Sequence, residues 1–155
     1  LASSFDISGF VDSSLAAHLF AMASSLQAVR EAAVDGRMHN VLTRRTQLEA
    51  LQQTLLDHVD TIEYAIRADT GYSASEVAVE YLLAVHTLKE YYQSLDVERA
   101  LLDEYAIARG EDATSRRDPV GIVYIVPTSY TFFYSVIVAV GGALAAGNCA
   151  VIEVQ

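Results

Sequence analysis

The feature that most limits the folds open to this chain is a long uncharged stretch, because no charged side chain lies between Asp118 and Glu153. It exceeds the roughly 20 apolar residues that cross a bilayer as a helix. Pro127 with the polar "TSYT" after it, and the glycines and asparagine of "GGALAAGN", divide the stretch. The pieces "GIVYIV", "TFFYSVIVAVGGALAA" and "CAVIEV" indicate strand, helix and strand. Since parallel strands covered on both faces are apolar throughout, a buried β-α-β unit is favoured over a membrane span.

The first hundred residues carry three apolar stripes with the spacing of amphipathic helices. One runs from Leu15 to Ala33 and is expected to end at Gly36. Another runs from Leu48 to Ile66, with Gly71 as its C-cap. The third helix begins at "SASE", which has the spacing of a capping box. Its expected apolar face consists of Val79, Leu82, Leu83, His86, Tyr91 and Leu95.

A strand or hairpin is predicted between Tyr105 and Arg117, where "YAIAR" alternates and "GEDATS" resembles a turn. The expected class is therefore α/β, with N-terminal helices, a hairpin and a truncated Rossmann-like β-α-β unit. At 155 residues the chain suits one domain. Within it, residues 1–100 are the helical segment, 101–118 the hairpin and 119–155 the β-α-β unit.

The charge balance opposes nucleic-acid binding. Lys and Arg total 10 against 20 Asp and Glu, for a net charge of -10, which repels polyanions. One cysteine, Cys149, leaves no intrachain disulfide or multi-cysteine zinc site, and the four histidines lack metal-ligand spacing. No signal-peptide pattern opens the chain, so we expect a cytoplasmic protein.

Two segments carry a resemblance to a known family. The segment "RRDPVGIVYIVP", followed by an apolar helix and "GGALAAGNCAVIE", resembles the opening of the dinucleotide-binding domain of the aldehyde dehydrogenase superfamily. Gly121, Pro127 and the run from Ala143 to Asn148 stand where the family pattern has them. The segment from Val29 to Gly71 resembles the family's N-terminal helices, especially in the branch with a short N-terminus. The resemblance covers the chain from Leu15 to Glu153.

The resemblance implies where a ligand would bind. In open parallel sheets ligands lie at the carboxyl ends of the strands, which here are Pro127 to Tyr130 and Glu153 to Gln155. It also implies that the hairpin takes part in oligomer contacts. An apolar β-α-β unit of few strands would expose a large apolar patch in a monomer, so a homo-oligomer is expected.

This chain departs from the family pattern after the first strand. Following the proline, the family has tryptophan and then an asparagine whose amide stabilises the oxyanion of the hemithioacetal. Here these are Thr128 and Ser129, and a serine hydroxyl is a shorter donor than an amide, which weakens oxyanion stabilisation. The aromatic residue that follows is retained as Tyr130, but the next proline is Thr131.

A second departure follows the second strand. The family has lysine and proline there, and the lysine meets the adenosine ribose hydroxyls of the cofactor; this chain has Glu153 and Val154. A carboxylate also accepts ribose hydroxyls, so the case for NAD is weakened but open. The 2′-phosphate of NADP would meet a like charge. We therefore expect no bound cofactor, with NAD as the alternative and NADP disfavoured.

The family's nucleophilic cysteine and glutamate base come from regions beyond residue 155. Cys149 is not that cysteine, because it begins an apolar strand where a small apolar role is favoured. The leading hypothesis is a truncated protein without redox function that binds a small apolar molecule. Any catalysis would be a non-redox isomerisation or cyclisation, with Glu153 exchanging the proton and Ser129 and Tyr130 as hydrogen-bond partners. Further ligand contacts are expected from Thr128, Tyr124, Tyr134 and Val154.

Two alternatives stay open. The chain is a non-catalytic assembly or binding protein that associates with itself or a larger homologue, or it is an N-terminal fragment of an NAD-dependent aldehyde dehydrogenase. An open reading frame that continues past Gln155 into a cysteine-bearing domain would favour the fragment.

Overall fold

The computed structural model describes residues 25–113 and 116–153. The helices are α1 (residues 25–34), α2 (Val41–Asp57), α3 (Val59–Thr70), α4 (Ala74–Gln93), α5 (Val97–Ala108) and α6 (Phe132–Ala145). The strands are β1 (Ile122–Ile125) and β2 (Cys149–Ile152). The expected α/β class, with helices first and a β-α-β unit after them, is confirmed.

The strands β1 and β2 form a parallel pair joined through α6. Ile122 lies opposite Cys149, and Ile125 opposite Ile152. The chain enters β2 through Gly147, whose φ of +83° favours glycine and whose missing Cβ would lie 2.9 Å from the carbonyl oxygen of Met38. Among the described residues, no helix is long and apolar enough to cross a membrane.

Helix ends follow the sequence signals. The Ser73 hydroxyl accepts from the Glu76 N–H, and the Glu76 carboxylate accepts from the Ser73 N–H, so the predicted capping box begins α4. Gly71 ends α3 in the left-handed conformation, with its N–H donating to the carbonyl of Arg67. Gly36 follows α1 at a φ of +66°, as expected. The predicted start of α1 lies outside the described residues.

The core lies where α4 crosses α2 and α6. Its buried side chains are Leu48, Leu55, Ala84, Leu88 and Ile137. The small Ala84 and Gly141 let the helices approach closely, because a Cβ at Gly141 would lie 2.5 Å from Leu88 Cδ2. Tyr81 adds a buried tie, since its hydroxyl donates to the Leu55 carbonyl at 3.0 Å.

The second predicted helix is two helices in the structure. His58 has a φ of -117° and a ψ of 22°, so α2 ends before it and α3 begins after it. No proline or glycine marks this break, and the apolar stripe continues through it. Together with α1 and α4, four helices precede α5 in the described range 25–96, where three were predicted before residue 100.

The predicted apolar face of α4 is wrong from Val79 to His86, although Tyr91 and, just beyond the helix, Leu95 pack against the core as predicted. Val79, Leu82 and Leu83 are each more than half exposed, and His86 is exposed as well. The helix instead buries Val77, Glu80, Tyr81, Ala84 and Leu88. Two apolar stripes of similar length compete on this helix, and the one with the small Ala84 permits close packing on α2 and α6.

The predicted hairpin from Tyr105 to Arg117 is wrong over its first residues, which complete α5. The Asp96 carboxylate caps this helix by accepting from the Arg99 N–H at 2.9 Å. The alternating polarity of "YAIAR" also fits the end of an amphipathic helix. The N-cap at Asp96 favours the helix over the hairpin. No strand occurs in the described part of residues 101–118.

The pair β1–β2 is covered on one side only. We predicted strands covered on both faces, yet Ile122 and Tyr124 are 43% and 61% exposed. The expectation of a large exposed apolar surface therefore holds for the described residues. Self-association itself stays a prediction.

Candidate functional site

The carboxyl edge of the β-α-β unit brings together Tyr124 of β1 and Glu153, the residue after β2. Tyr124 lies opposite Val151, and Glu153, two residues further on, projects to the same face. Its backbone N–H still donates to the carbonyl of Ile125 at 2.9 Å. The Tyr124 hydroxyl donates a short hydrogen bond to Glu153 Oε2. Two side chains predicted separately, one as a ligand contact and one as the acid or base, therefore form one pair.

The Tyr124–Glu153 contact changes the acidity of the phenol. The hydrogen bond to Glu153 raises the pKa of Tyr124 above its usual range, with smaller contributions from desolvation and from the carboxylate charge. The phenol thus stays protonated and acts as a donor. This hydrogen bond uses only Oε2 of Glu153, and a carboxylate can accept a further hydrogen bond through its other oxygen.

The loop after β1 holds the other predicted site residues. The Thr128 hydroxyl donates to the backbone carbonyl of Tyr130 at 2.7 Å, and the Thr131 hydroxyl donates to the same carbonyl. Ser129 is exposed, and the Tyr130 side chain is 81% exposed. Thr131 has a φ of +46°, a strained backbone for a β-branched residue. The loop is thus held by its own hydroxyls, which turn toward backbone rather than toward Glu153.

Tyr134 lies apart from Tyr124 and Thr128, the other predicted ligand contacts that the structure describes. It lines a mostly apolar cleft of about 470 Å³ between α4 and the start of α6, here called the Tyr134 cleft. Its walls are Tyr72, Ser75, Glu76, Val79, Glu80, Leu83, Thr131 and Tyr134. Neither Glu153 nor Tyr124, Ser129 or Tyr130 contributes to it. The structure therefore separates one predicted site into an edge pair and a cleft.

Sequence reasoning missed Glu80, the buried carboxylate of this region. Glu80 is 5% exposed, and its Oε1 accepts from the backbone N–H of Tyr134 at 3.1 Å. Tyr134 is the third residue of α6, and Thr131 at the N-cap gives no side-chain cap. Glu80 therefore caps α6 from a neighbouring helix. A glutamate at i+3 from Val77 and i-4 from Ala84 was the available signal.

The remaining candidate residues add no catalytic or metal-binding group to the described part of this site. Cys149 is free and partly buried at the start of β2, which agrees with a packing role. In the part of the chain that is described, no three His, Cys, Asp or Glu side chains form a group suited to a metal ion. Val154, a predicted ligand contact, lies outside the described residues.

Helices that precede a parallel β-α-β unit, with polar side chains at the carboxyl edge of its strands, define a Rossmann-like α/β protein. The sequence model of the Aldehyde dehydrogenase family matches residues 18–155. The chain belongs to the aldehyde dehydrogenase family, as the resemblance predicted.

Relatives of known sequence agree with this assignment. Aldehyde dehydrogenase family 3 member B1 of Mus musculus is 32% identical over 137 residues, which cover 83% of this chain and 28% of the relative. The Homo sapiens protein of the same name is 30% identical over 141 residues, or 85% and 29% of the two chains. Aldehyde dehydrogenase family 3 member A2 of Macaca fascicularis is 29% identical over 140 residues, or 85% and 28%. This chain thus spans less than a third of the length of these relatives.

No solved structure matches the chain significantly.

Proposed function

We propose that this chain forms the N-terminal part of an NAD-dependent aldehyde dehydrogenase and contributes the first β-α-β unit of the cofactor-binding domain. The observation that carries the proposal is the continuous family match over residues 18–155, which includes every described element of the fold from α1 to β2. The relatives that it matches carry the words aldehyde dehydrogenase in their names. In this proposal the reacting cysteine is supplied outside this chain.

Glu153 would bind the adenosine ribose of NAD. It lies at the carboxyl end of β2, where ligands bind in open parallel sheets, and has one oxygen free of Tyr124. Ribose hydroxyls are donors that a carboxylate accepts. A 2′-phosphate at this position would meet the charge of Glu153, so NADP should bind more weakly than NAD.

The N-terminus of α6 does not fit the pyrophosphate of the dinucleotide. A helix N-terminus commonly binds a phosphate through its free N–H groups. Here the Glu80 carboxylate already accepts from the Tyr134 N–H and would repel an anion. The residues of this chain therefore fit the ribose of NAD but leave the pyrophosphate to another part of the protein.

Calorimetric titration with NAD tests the proposal. Saturable binding to the 155-residue chain, weakened by Glu153→Gln and weaker for NADP, is the expected result. Glu153→Lys introduces the cation that the family has at this position, so NADP affinity should rise relative to NAD. Absence of NAD binding to both the wild-type chain and the Glu153→Lys variant would contradict the proposal.

A second candidate function is non-redox chemistry on a small apolar molecule. The observation that favours it is the Tyr124–Glu153 pair, a proton donor and a carboxylate in direct contact beside an apolar sheet face. Such a pair can move a proton during an isomerisation or cyclisation. Against it, Tyr124 is 61% exposed, whereas acid–base catalysis gains most in a site that excludes water.

The two candidates give opposite results with Tyr124→Phe. Proton transfer through the phenol requires its O–H, so this variant would lose an isomerase activity. Ribose binding requires only the carboxylate, which Phe leaves in place, and NAD affinity should change little.

A further inference from the structure

Glu80 has one carboxylate oxygen that the fold does not use. Its Oε1 accepts from Tyr134, but its Oε2 is buried and has no hydrogen-bond partner among the described residues. Removing such an oxygen from water without a donor costs free energy. Native buried polar groups that lack a partner call for an explanation, such as a ligand.

Glu80 also forms part of the wall of a second cleft, which lies between α3 and the start of α6 and is here called the α3 cleft. Its volume is about 620 Å³, within the range of small-molecule sites. The walls are Ile62, Ala65, Ile66, Ala68, Asp69, Thr70, Glu80, Phe132, Phe133 and Val136. Most of this lining is aliphatic or aromatic, so it favours an apolar occupant.

The polar side chains that line the α3 cleft are acceptors. Asp69 and Glu80 both bring carboxylates, and no Lys, Arg or His is among the lining residues. The one hydroxyl, from Thr70, donates to the backbone carbonyl of Ile66 at 2.7 Å. A ligand with an anionic or purely accepting head would therefore be repelled, and one with donors would be attracted.

We propose that the α3 cleft binds a small apolar molecule that carries a protonated amine, with the ammonium donating to Glu80 Oε2. The hydrocarbon part contacts Phe132, Phe133 and Val136, and Asp69 adds negative charge at the same cleft. The Tyr134 N–H satisfies only Oε1 of Glu80. A charged N–H donor from the ligand would supply the missing hydrogen bond to Oε2.

The α3 cleft suits this ligand better than the Tyr134 cleft, although Glu80 borders both. The other carboxylate of the Tyr134 cleft, Glu76, is held in the capping box by the Ser73 hydroxyl and N–H. The α3 cleft is also the larger of the two. This inference does not rest on NAD binding, because none of its residues belongs to the Tyr124–Glu153 pair.

Three ligands that share one alkyl chain test the headgroup. Calorimetric titration of the 155-residue chain with n-decylamine, decan-1-ol and decanoate, each below micelle formation, compares an ammonium, a hydroxyl and a carboxylate. We expect one saturable site for the amine and about tenfold or more weaker binding of decanoate. Equal affinity for all three would overturn the proposal, because it would show an apolar surface without headgroup recognition.

Glu80→Gln tests the carboxylate with little change of shape. Its amide oxygen still accepts from the Tyr134 N–H, while an amide N–H₂ replaces Oε2 and opposes an ammonium. Amine affinity should fall about tenfold, the size of one charged hydrogen bond. The matched control is Glu76→Gln, which removes the same charge from the same helix and keeps a capping box. Unchanged amine binding in Glu80→Gln, or an equal loss in Glu76→Gln, would refute the role of Glu80.

Ala65→Phe tests the cleft independently of Glu80. Ala65 is an exposed lining residue, so a larger side chain fills the cleft without entering the core. Binding of n-decylamine should be lost while the helical circular dichroism and NAD titration stay as in the wild type. Retained amine binding would place the ligand elsewhere and contradict the proposal, even if Glu80→Gln failed to fold.

Discussion

The side-chain Oδ1 of Asn148 accepts a hydrogen bond from the backbone N–H of Gly121 at 3.0 Å. Asn148 is 5% exposed and comes directly before β2, while Gly121 comes directly before β1. One buried amide thus fixes the starting points of the two parallel strands. It acts together with the backbone bond from the Cys149 N–H to the Gly121 carbonyl, at 2.8 Å, which starts the parallel register that brings Tyr124 and Glu153 together.

Asn148→Ala should destabilise the protein by about 1 to 3 kcal/mol, because the Gly121 N–H loses its acceptor in a partly buried place. Urea unfolding followed by circular dichroism measures the change. Gln53→Ala is the control, since it removes an exposed side-chain bond to Asp57 within α2. Equal stability of both variants would show that the amide does not tie the strands.

Gly141→Ala should destabilise the protein by about 1 to 3 kcal/mol through overpacking. The new Cβ would lie 2.5 Å from Leu88 Cδ2 and 3.0 Å from Tyr91 Cδ2, and because Leu88 is fully buried, its side chain can shift only by disturbing its core neighbours. The matched control is Gly142→Ala, whose Cβ would meet only Tyr91, at 3.4 Å or more. There the better helix propensity of alanine should give a gain of up to about 1 kcal/mol.

Thermal unfolding of these two glycine variants decides between packing and propensity. We expect Gly141→Ala to lower the melting temperature and Gly142→Ala to raise it. A gain of stability in both variants would mean that α4 and α6 lie further apart than the structure shows.

Ser73→Ala should lower the free energy of unfolding by about 1 kcal/mol at neutral pH, the usual cost of losing an N-cap side chain. Hydrogen bonds from the Ser73 side chain and backbone lower the pKa of Glu76. That stabilisation is present above the unfolded pKa, near 4.5, and is lost as the pH falls through the lowered folded value. The difference in the free energy of unfolding between wild type and Ser73→Ala should therefore become smaller in acid.

Urea unfolding at neutral pH and at a pH below the folded pKa of Glu76 measures this narrowing. Thr54→Ala is the control, because its hydroxyl donates only to the Ala50 carbonyl within the same helix. A gap for Ser73→Ala that is independent of pH would contradict the link to Glu76.

Tyr124→Phe should remove a contribution to the free energy of unfolding that the wild type has at neutral pH and loses at alkaline pH. The folded pKa of Tyr124 lies above the usual value near 10, so the contribution is complete below that value and is lost as the pH rises through the folded pKa. Difference titration of tyrosinate absorbance between wild type and variant gives the pKa of this one phenol. In the Glu153→Gln variant the pKa of Tyr124 should move back toward the usual value. An unchanged pKa would show that Tyr124 and Glu153 are not hydrogen-bonded.

Much of the fold could be predicted from short-range chemistry. The capping box at Ser73 and the left-handed glycine at Gly71 act through backbone N–H and carbonyl groups a few residues away, so their sequence signals are local. The pattern from β1 through α6 to β2 was predictable because its pieces are apolar and separated by proline and glycine. The motifs of this segment also carry the resemblance to the aldehyde dehydrogenase family.

The site was harder to predict because it depends on which surfaces meet. Glu153 and Tyr124 could each be named from the expected strand ends, but their contact follows from the parallel register. The one signal for Glu80 is its position between Val77 and Ala84 on the buried stripe, and it is a weak one, since a glutamate on an amphipathic helix ordinarily faces water. It is buried because α4 turns its Ala84 stripe inward and because the start of α6 needs an acceptor.

The sequence by itself determined the start of α4 at its capping box, the ends of α1 and α3 at glycines, and the β-α-β unit, because capping, turn and apolar patterns act over a few residues. The order and spacing of its motifs gave the resemblance to the aldehyde dehydrogenase family. Only the tertiary structure decided which face of α4 is buried and that Glu80 caps α6. Those outcomes depend on competition between surfaces far apart in the chain, where close packing around Ala84 and Gly141 favours one arrangement over others that local propensity allows equally well.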